Sequence, residues 1–573
     1  MPFLNKNMNN TTISKPRSVL KEDTRIWWKE GVLYQIYPQS FKDTTGDGFG
    51  DFKGVIDKLD YLESLGITMV WMNPFFESPL VDNGYDVSDY TAIHSRYGTM
   101  EDFEEMLEGL HKRGIKFVLD VVVNHSSNEH KWFQESRSSR ENLYRDYYHW
   151  WPAEKGIPPF RDSIFDPEGA WEYDQKTNAY YLHYFAKEQP DLNWENPKVR
   201  QEIYGIMKFW ATKGVDGFRM DAFQYASKDT SFPEWPKGHE KEYDKWYGMR
   251  PQLHDYLKEM YTEVLEPYSL FAVAEGAGTT FKDAHDLVDS DRKELQVAYH
   301  FDCKDISKGL KGYQLSDFKD VFTKWDASFK DNGWLAIYLS NHDVSRLVNR
   351  YGNPELAFRN PSTQMLNTFL LSMRGTPYTY YGDELGMTNI DMPTIEEYVD
   401  ISAIGDYNRA KSEEQDMNEF MKDLNFNSRE NARTPMQWDA TENAGFTSTK
   451  PWKKVNENYK TINVAAQNKD PKSILNHFRK MVKLRKDHAV LVYGDYQILQ
   501  VEHSEIYAYT RTLDNEQLLV VLNFSAKESN IELQEANTIG NILINNYDTF
   551  NNEDGKITLK AYQAAICKIT KTN

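Results

Sequence analysis

Apolar residues along this chain come in short dense runs, separated by longer stretches where they recur every three or four positions. Val32-Leu33-Tyr34-Gln35-Ile36-Tyr37 is almost wholly apolar or aromatic and predicts a buried strand. From Val55 the beat changes: Ile56, Leu59, Leu62 and Leu65 stand at three-residue steps and predict a helix ending at Gly66. Ile67–Met72 is the next apolar run. Thr99 then caps a second helix whose inner stripe is Phe103, Met106, Leu107 and Leu110; Gly114 ends it, and Ile115–Val123 is the third strand. Further strands are expected near Val215–Met220, Leu270–Ala274, Ala298–Phe301, Leu335–Leu339 and Tyr378–Tyr381. Eight strands alternating with helices predict an α/β fold, a parallel sheet closed into an eightfold (β/α)8 TIM barrel. The chemistry of such a barrel sits at the C-terminal ends of its strands.

Two stretches break the alternation. Between His125 and about Trp194 the chain is loop-like and aromatic, as in His149-Trp150-Trp151-Pro152, and reads as a small domain inserted after the third strand. From about Leu491 short strands follow one another, as in Ile506–Thr510 and Leu518–Leu522, and predict a C-terminal antiparallel β-sandwich. The expected plan is a loose tail over residues 1–25, a barrel over 26–123 and 195–490, the inserted domain over 124–194, and the sandwich over 491–573.

Composition narrows the function. A net charge of −20 lacks the basic stripe that a nucleic acid requires, and disfavours an anionic membrane surface. No run of about 18 apolar residues is present, so no membrane span is expected. Residues 1–25 lack the apolar segment of a signal peptide, and the two cysteines, Cys303 and Cys567, share no metal-ligand spacing. A cytoplasmic protein acting on a small molecule, a monomer or weak homodimer, is the expectation. Aromatic residues make up 14% of the chain, supplying core and also flat surfaces on which sugar rings stack.

Polar residues gather just past the apolar runs: Asp120…Asn124-His125, Gly217-Phe218-Arg219-Met220-Asp221, Ala274-Glu275, and Ser340-Asn341-His342-Asp343. Arg219 and Asp221, two apart on a strand, share a face. The guanidinium is expected to lower the Asp221 pKa, either for a nucleophile or for a structural ion pair. His125 alone reads more readily as a satisfied core histidine than as a substrate ligand. Asp43-Thr44-Thr45-Gly46-Asp47-Gly48-Phe49-Gly50-Asp51 places oxygen donors at nearly every second position, fitting a hard-cation loop or an acidic turn without metal. The cation ligands would be the side chains of Asp43, Thr45, Asp47 and Asp51 and the Phe49 carbonyl.

Together these segments resemble the signature segments of the α-amylase superfamily of glycoside hydrolases. Gln189-Pro190-Asp191-Leu192-Asn193-Trp194, Asp82-Asn83-Gly84-Tyr85-Asp86 and Ala432-Arg433-Thr434-Pro435-Met436-Gln437-Trp438 resemble its oligo-1,6-glucosidase branch. The resemblance implies an exo-acting retaining α-glucosidase for short α-glucosides such as isomaltose, sucrose or maltose. Asp221 would be its nucleophile, Glu275 its acid/base in a largely uncharged setting, and Asp343 with His342 the holders of ring hydroxyls. It further implies that His125 binds the 6-hydroxyl, that Tyr85 or Phe185 packs on the sugar, and that Asp82 and Arg433 close the pocket. Gln189 and Arg219 belong to the same site. The Asp43–Asp51 loop matches a structural calcium or magnesium site. Ala222, smaller than the usual residue after the nucleophile, implies looser linkage discrimination. Trehalose-6-phosphate hydrolases, sucrose isomerases and sucrose-active α-glucosidases share much of the pattern, and a sucrose isomerase or transglucosylase using the same glucosyl-enzyme is the alternative the resemblance leaves open. The isomerases' Arg-Leu-Asp-Arg-Asp segment is replaced here by Asp302-Cys303-Lys304-Asp305-Ile306.

Overall fold

The apolar runs become eight parallel strands in the computed structural model, which describes residues 25–238, 247–533, 537–553 and 555–571. They are β1 Leu33–Ile36, β2 Met69–Met72, β3 Lys116–Val122, β4 Gly217–Asp221, β5 Phe271–Glu275, β6 Val297–Tyr299, β7 Ala336–Tyr338 and β8 Thr376–Tyr380. Spatial order is β6-β5-β4-β3-β2-β1-β8-β7, and a parallel bridge from Ala298 to Leu335 joins β6 to the start of β7, closing the ring. Strand residues are buried almost without exception, because a barrel wall has packed interior on one side and helices on the other. That double burial is why the strands read as continuous apolar runs rather than alternating ones. The expected tail lies outside the described residues, apart from Arg25.

The helix expected from Val55 is two, Phe52–Asp57 and Leu59–Leu65, broken at Lys58. Asp51 caps the first by accepting from the Gly54 N–H, and a Cβ at Gly54 would lie 2.0 Å from the Lys42 carbonyl oxygen. The Lys58 N–H then bonds the Val55 carbonyl three residues back, tightening the turn and ending the first segment. The second helix, Met100–Lys112, begins with a reciprocal Thr99–Asp102 capping box and buries the four expected apolar residues.

Between β3 and β4 lies the inserted domain. It is more ordered than its loop-like sequence suggests: Ala179–Leu182 runs antiparallel between Trp150–Pro152 and Trp171–Asp174. These strands are only three or four residues long and aromatic on both faces, so no alternation announces them. The C-terminal domain pairs a five-stranded sheet with a three-stranded one. In its strand Ile506–Leu513, Ile506 and Ala508 face the second sheet, while Tyr507 and Tyr509 join the core of the barrel. Tyr509 shares a 2.6 Å hydrogen bond with Ser372 of the helix Arg359–Ser372. Among the described residues no helix is long and apolar enough to cross a membrane.

Candidate active site

Strands β3, β4 and β5 run side by side, and their ends bring three carboxylates to one cation. Arg219, wholly buried, donates through Nη1 to Asp120 Oδ1 (2.8 Å) and Asp221 Oδ1 (2.5 Å). Its Nη2 donates to the Tyr299 hydroxyl (3.2 Å) and pairs with Glu275 Oε1 (2.5 Å). The shared face of Arg219 and Asp221 is therefore as the strand alternation dictates. The expected lowering of the Asp221 pKa is not. Burial pushes Asp221 well above the usual carboxylate range; the cation opposes this, but Glu275 and Asp120 reinforce it. One guanidinium divided among three carboxylates cannot hold each of them as an isolated pair would. Nor is the setting of Glu275 uncharged, since it bonds Arg219 and accepts at Oε2 from the Ala222 N–H (2.9 Å). Ala222 makes that bond from the left-handed region, at φ 47°. Gly276, on the other side, has φ 86°, and a Cβ there would meet Gln224 Oε1 at 3.0 Å.

Asp120 is tied further by the Trp71 indole N–H (3.1 Å) and the Tyr85 hydroxyl (3.0 Å); burial raises it to about 6. Tyr85 also accepts from Asn73 Nδ2 (2.7 Å) and lies parallel to His342, 5.6 Å between ring centres. Gln35 Nε2 donates to His342 Nδ1 (2.8 Å), which places the ring proton on Nε2, facing Asp343 Oδ2 (3.1 Å) and the Tyr85 hydroxyl (2.8 Å). Burial holds His342 and His125 neutral, each lowered to about 3. His125 accepts at Nε2 from Gln189 (3.1 Å), and its ring packs on Phe185 at 4.8 Å.

The far end of the pocket differs from expectation. Asp82 pairs with Arg429 (Nη2 to Oδ1, 3.0 Å), not with Arg433, and also accepts from Gln189 (3.3 Å). Arg433 reaches Asp343 Oδ1 (3.1 Å) and Asp400 Oδ2 (2.6 Å) instead. Arg429 completes the lattice with bonds to Asp343 (3.0 Å) and Asp400 (2.9 Å). Burial would raise Asp343, but His342 and the two guanidiniums hold it well below its ordinary value. Burial lifts Asp82 to about 7 against the pull of Arg429. Arg429 stands four residues before Arg433, a spacing that places two side chains on one side of a helical turn. That spacing is the signal that could have found it; Asp400, 29 positions before Arg429, had none.

The Gln189–Trp194 segment is pinned from beneath. Buried Lys228 donates to Asn124 Oδ1 (2.8 Å) and to the Tyr225 carbonyl, and pairs with Asp191 at 3.2 Å. One ammonium thus joins the end of β3, the inserted domain and the turn after Asp221.

Just past the C-terminal end of β8, Asp383 accepts from the Ser340 hydroxyl, while its Oδ1 has no hydrogen-bond partner. Burial pushes it up to about 7. The folded state then keeps a proton that the unfolded chain releases above about pH 4, so stability falls as pH rises from about 4 to about 7. In Asp383→Asn this share of the fall is absent. The variant should gain on the wild type by a few kcal/mol (about) across that window, read from denaturation at pH 5 and pH 8; a constant difference would contradict the assignment.

In the Asp43–Asp51 loop, the carboxylates serve the loop itself. Asp43 accepts from the N–H groups of Thr45 (2.9 Å), Gly46 (2.8 Å) and Gly48 (2.9 Å) and from the Thr447 hydroxyl (2.5 Å). Asp51 accepts from Thr44 and Gly54, and Asp47 from the Phe49 N–H. Among the described residues no group of three or more His, Cys, Asp or Glu side chains is placed to hold a metal ion.

Comparison with known proteins agrees with this geometry. Residues 35–494 match the alpha amylase catalytic domain, and 506–566 match the alpha-amylase SusG C-terminal domain. The chain is 47% identical to an oligo-1,6-glucosidase of Parageobacillus thermoglucosidasius, over 95% of this chain and 99% of that protein. It is 45% identical to an oligo-1,6-glucosidase of Bacillus cereus, again over 95% of this chain and 99% of that one. Among solved structures, the isomaltulose synthase of Klebsiella sp. LX3 superposes with a TM-score of 0.93 at 40% identity, over 96% of this chain and all of that one. Eight parallel strands, carboxylates at their C-terminal ends and a match across most of the chain converge: this protein belongs to the α-amylase family and is a glycoside hydrolase.

Proposed function

We propose an exo-acting, retaining α-glucosidase that removes glucose from the non-reducing end of short α-glucosides, isomaltose, sucrose or maltose. One observation carries the reading: Asp221 and Glu275 both bond one guanidinium from adjacent strands. Sharing one guanidinium keeps the two carboxyl groups close together, and retaining enzymes hold theirs about 5–5.5 Å apart, closer than the gap that admits a water. Asp221 attacks the anomeric carbon and forms a β-glucosyl ester, while Glu275 gives its proton to the departing oxygen. Glu275 then takes a proton from water, which releases glucose with its α-configuration restored. Asp343, held ionised by three cationic or polar neighbours, binds ring hydroxyls, and neutral His342 and His125 supply further hydrogen bonds. The Asp82–Arg429–Asp343–Arg433–Asp400 lattice walls off the donor end, which supports exo action on short substrates.

A second reading keeps the same intermediate but returns glucose to a sugar, as in isomaltulose synthase. The fold similarity to that enzyme supports it. Hydrolysis is favoured because the isomerases' Arg-Leu-Asp-Arg-Asp segment is replaced here by Asp302–Ile306, a short helix in which Asp302 accepts from the Trp325 indole (2.7 Å). Proton NMR with isomaltose, sucrose, maltose and trehalose in turn decides: early α-glucose supports the hydrolase, and a new glucosyl-fructose from sucrose would replace it with the isomerase.

We also propose that the Asp43–Asp51 loop takes calcium or magnesium, on the strength of its oxygen-only donors and of Asp43. Burial would raise Asp43, but its hydrogen bonds hold it below its ordinary value. Exhaustive chelation should then lower the melting temperature by several degrees (about); an unchanged temperature would remove the metal from the account. A cytoplasmic monomer or weak homodimer completes the reading, supported by Cys303 and Cys567 being free and buried.

A further inference from the structure

The donor-end lattice does not stop at Asp400. Glu430, wholly buried, accepts at one oxygen, Oε1, from two successive backbone N–H groups, Val399 and Asp400, each at 2.6 Å. Its other oxygen pairs with Lys453 Nζ at 2.5 Å, and Lys453 is itself only 6% exposed. Lys453 reaches this position because its neighbour Trp452 is fixed. The Trp452 N–H bonds the Gly48 carbonyl (3.0 Å), its indole N–H bonds Ser40 Oγ (3.0 Å), and its ring stacks on Phe49 at 5.8 Å. From Glu430 the path continues through the Asp400 backbone to the Asp400 carboxylate, which holds Arg429 and Arg433, and through them to Asp343 and Asp82.

Charge accounting gives Lys453 its importance. Asp82, Asp343 and Asp400 are three carboxyl groups sharing two guanidiniums, and Glu430 is a fourth, matched by Lys453. Glu430 is the immediate chain neighbour of Arg429. A buried carboxylate left without its own cation would compete for another, and Arg429, beside it in the chain, is one of the two arginines that hold Asp343. We propose that the buried Lys453–Glu430 pair is a positioning device of the donor pocket. Lys453 satisfies Glu430, which leaves Arg429 and Arg433 free to hold Asp82 and Asp343 in the geometry that grips the non-reducing glucose. Neither residue touches substrate; both act through Asp400. The inference rests on the reading of this pocket as the glucose site.

The test uses Lys453→Met, Glu430→Gln and the double variant Glu430→Gln/Lys453→Met. Affinity for a glucose-shaped iminosugar is measured by calorimetry, and KM and kcat on whichever disaccharide the wild type cleaves. Lys453→Met should weaken iminosugar binding and raise KM by about tenfold to a hundredfold, the loss expected when a binding group is displaced by up to an ångström. Glu430→Gln alone should do the same, because the unpaired ammonium then competes for Asp400. In the double variant the Gln carbonyl still accepts from Val399 and Asp400 and no charge is left alone, so affinity should return to within about threefold of wild type. Binding unchanged in the single variants, with only the melting temperature lowered, would overturn the proposal and leave the pair purely structural. Equal loss in all three would overturn it too. If Lys453→Met does not fold, Glu430→Gln and the double variant decide between the same outcomes. A wild type that binds the iminosugar yet cleaves no glucoside would sink the functional reading while the pair is still tested by affinity.

Discussion

Asp221→Ala is expected to lower turnover by about four orders of magnitude or more, the scale seen when a group forming the covalent intermediate is removed. No other carboxylate can replace it. Asp120 is spent on Arg219, Trp71 and Tyr85. Glu275 is needed on the leaving-group side. The same variant carries a sharper signature than loss of rate. A small anion such as azide can occupy the space left by the carboxylate, and with an α-glucosyl fluoride it should yield the β-glucosyl azide. Inverted product identifies the face from which Asp221 attacks, which a merely unstable variant would not produce. Turnover near the wild-type rate, or azide product of retained configuration, would refute the assignment.

Arg429→Met should have the second largest effect, and on two quantities at once. Its guanidinium bonds Asp82, Asp343 and Asp400. Removing it leaves Arg433 as the one guanidinium bonded to Asp343 and Asp400, and leaves Asp82 with the Gln189 amide. Breaking a buried charge cluster by deleting one partner costs about 3–5 kcal/mol of stability. Catalytic efficiency should fall about a hundredfold or more, with KM carrying much of the loss, because the wall of the donor pocket is distorted before any chemistry begins. Lysine should rescue this poorly: one ammonium cannot reproduce a planar fork directed at three carboxylates. Denaturant midpoints and steady-state kinetics on the same preparations separate the two effects. Wild-type KM in Arg429→Met would show that this lattice does not form the sugar site.

These arginines also mark where sequence reading runs out. The eight barrel strands were legible because burial on both faces turns each into an apolar run, and the carboxylates were legible because they stand immediately after those runs. The faces of β4 followed from alternation alone. What could not be read was who shares whom. Asp82 and Arg429 are 347 positions apart, and their pairing depends on two long loops meeting over the barrel. Arg219 was expected to serve Asp221, yet it is divided among carboxylates from three strands, and that division reverses the expected direction of the Asp221 pKa. The inserted sheet was missed for another reason: strands of three aromatic-rich residues carry too few positions for a period to show.

The C-terminal domain matches a family model of its own, yet only one face of its central sheet is covered from within the domain. One side, with Ile506, Ala508, Leu519 and Val521, closes against the second sheet; the other, with Tyr507, Tyr509, Leu518 and Val520, completes the core shared with the barrel helices. Lys319, from the helix Leu315–Ser328, donates to the carbonyls of Val501 and His503 across the same boundary. The two regions are therefore expected to unfold as a single cooperative unit, although two separate family models match them. Heat should melt them together in one calorimetric transition. A chimera that exchanged the sandwich alone would have to bring along the barrel helices against which its tyrosines were shaped.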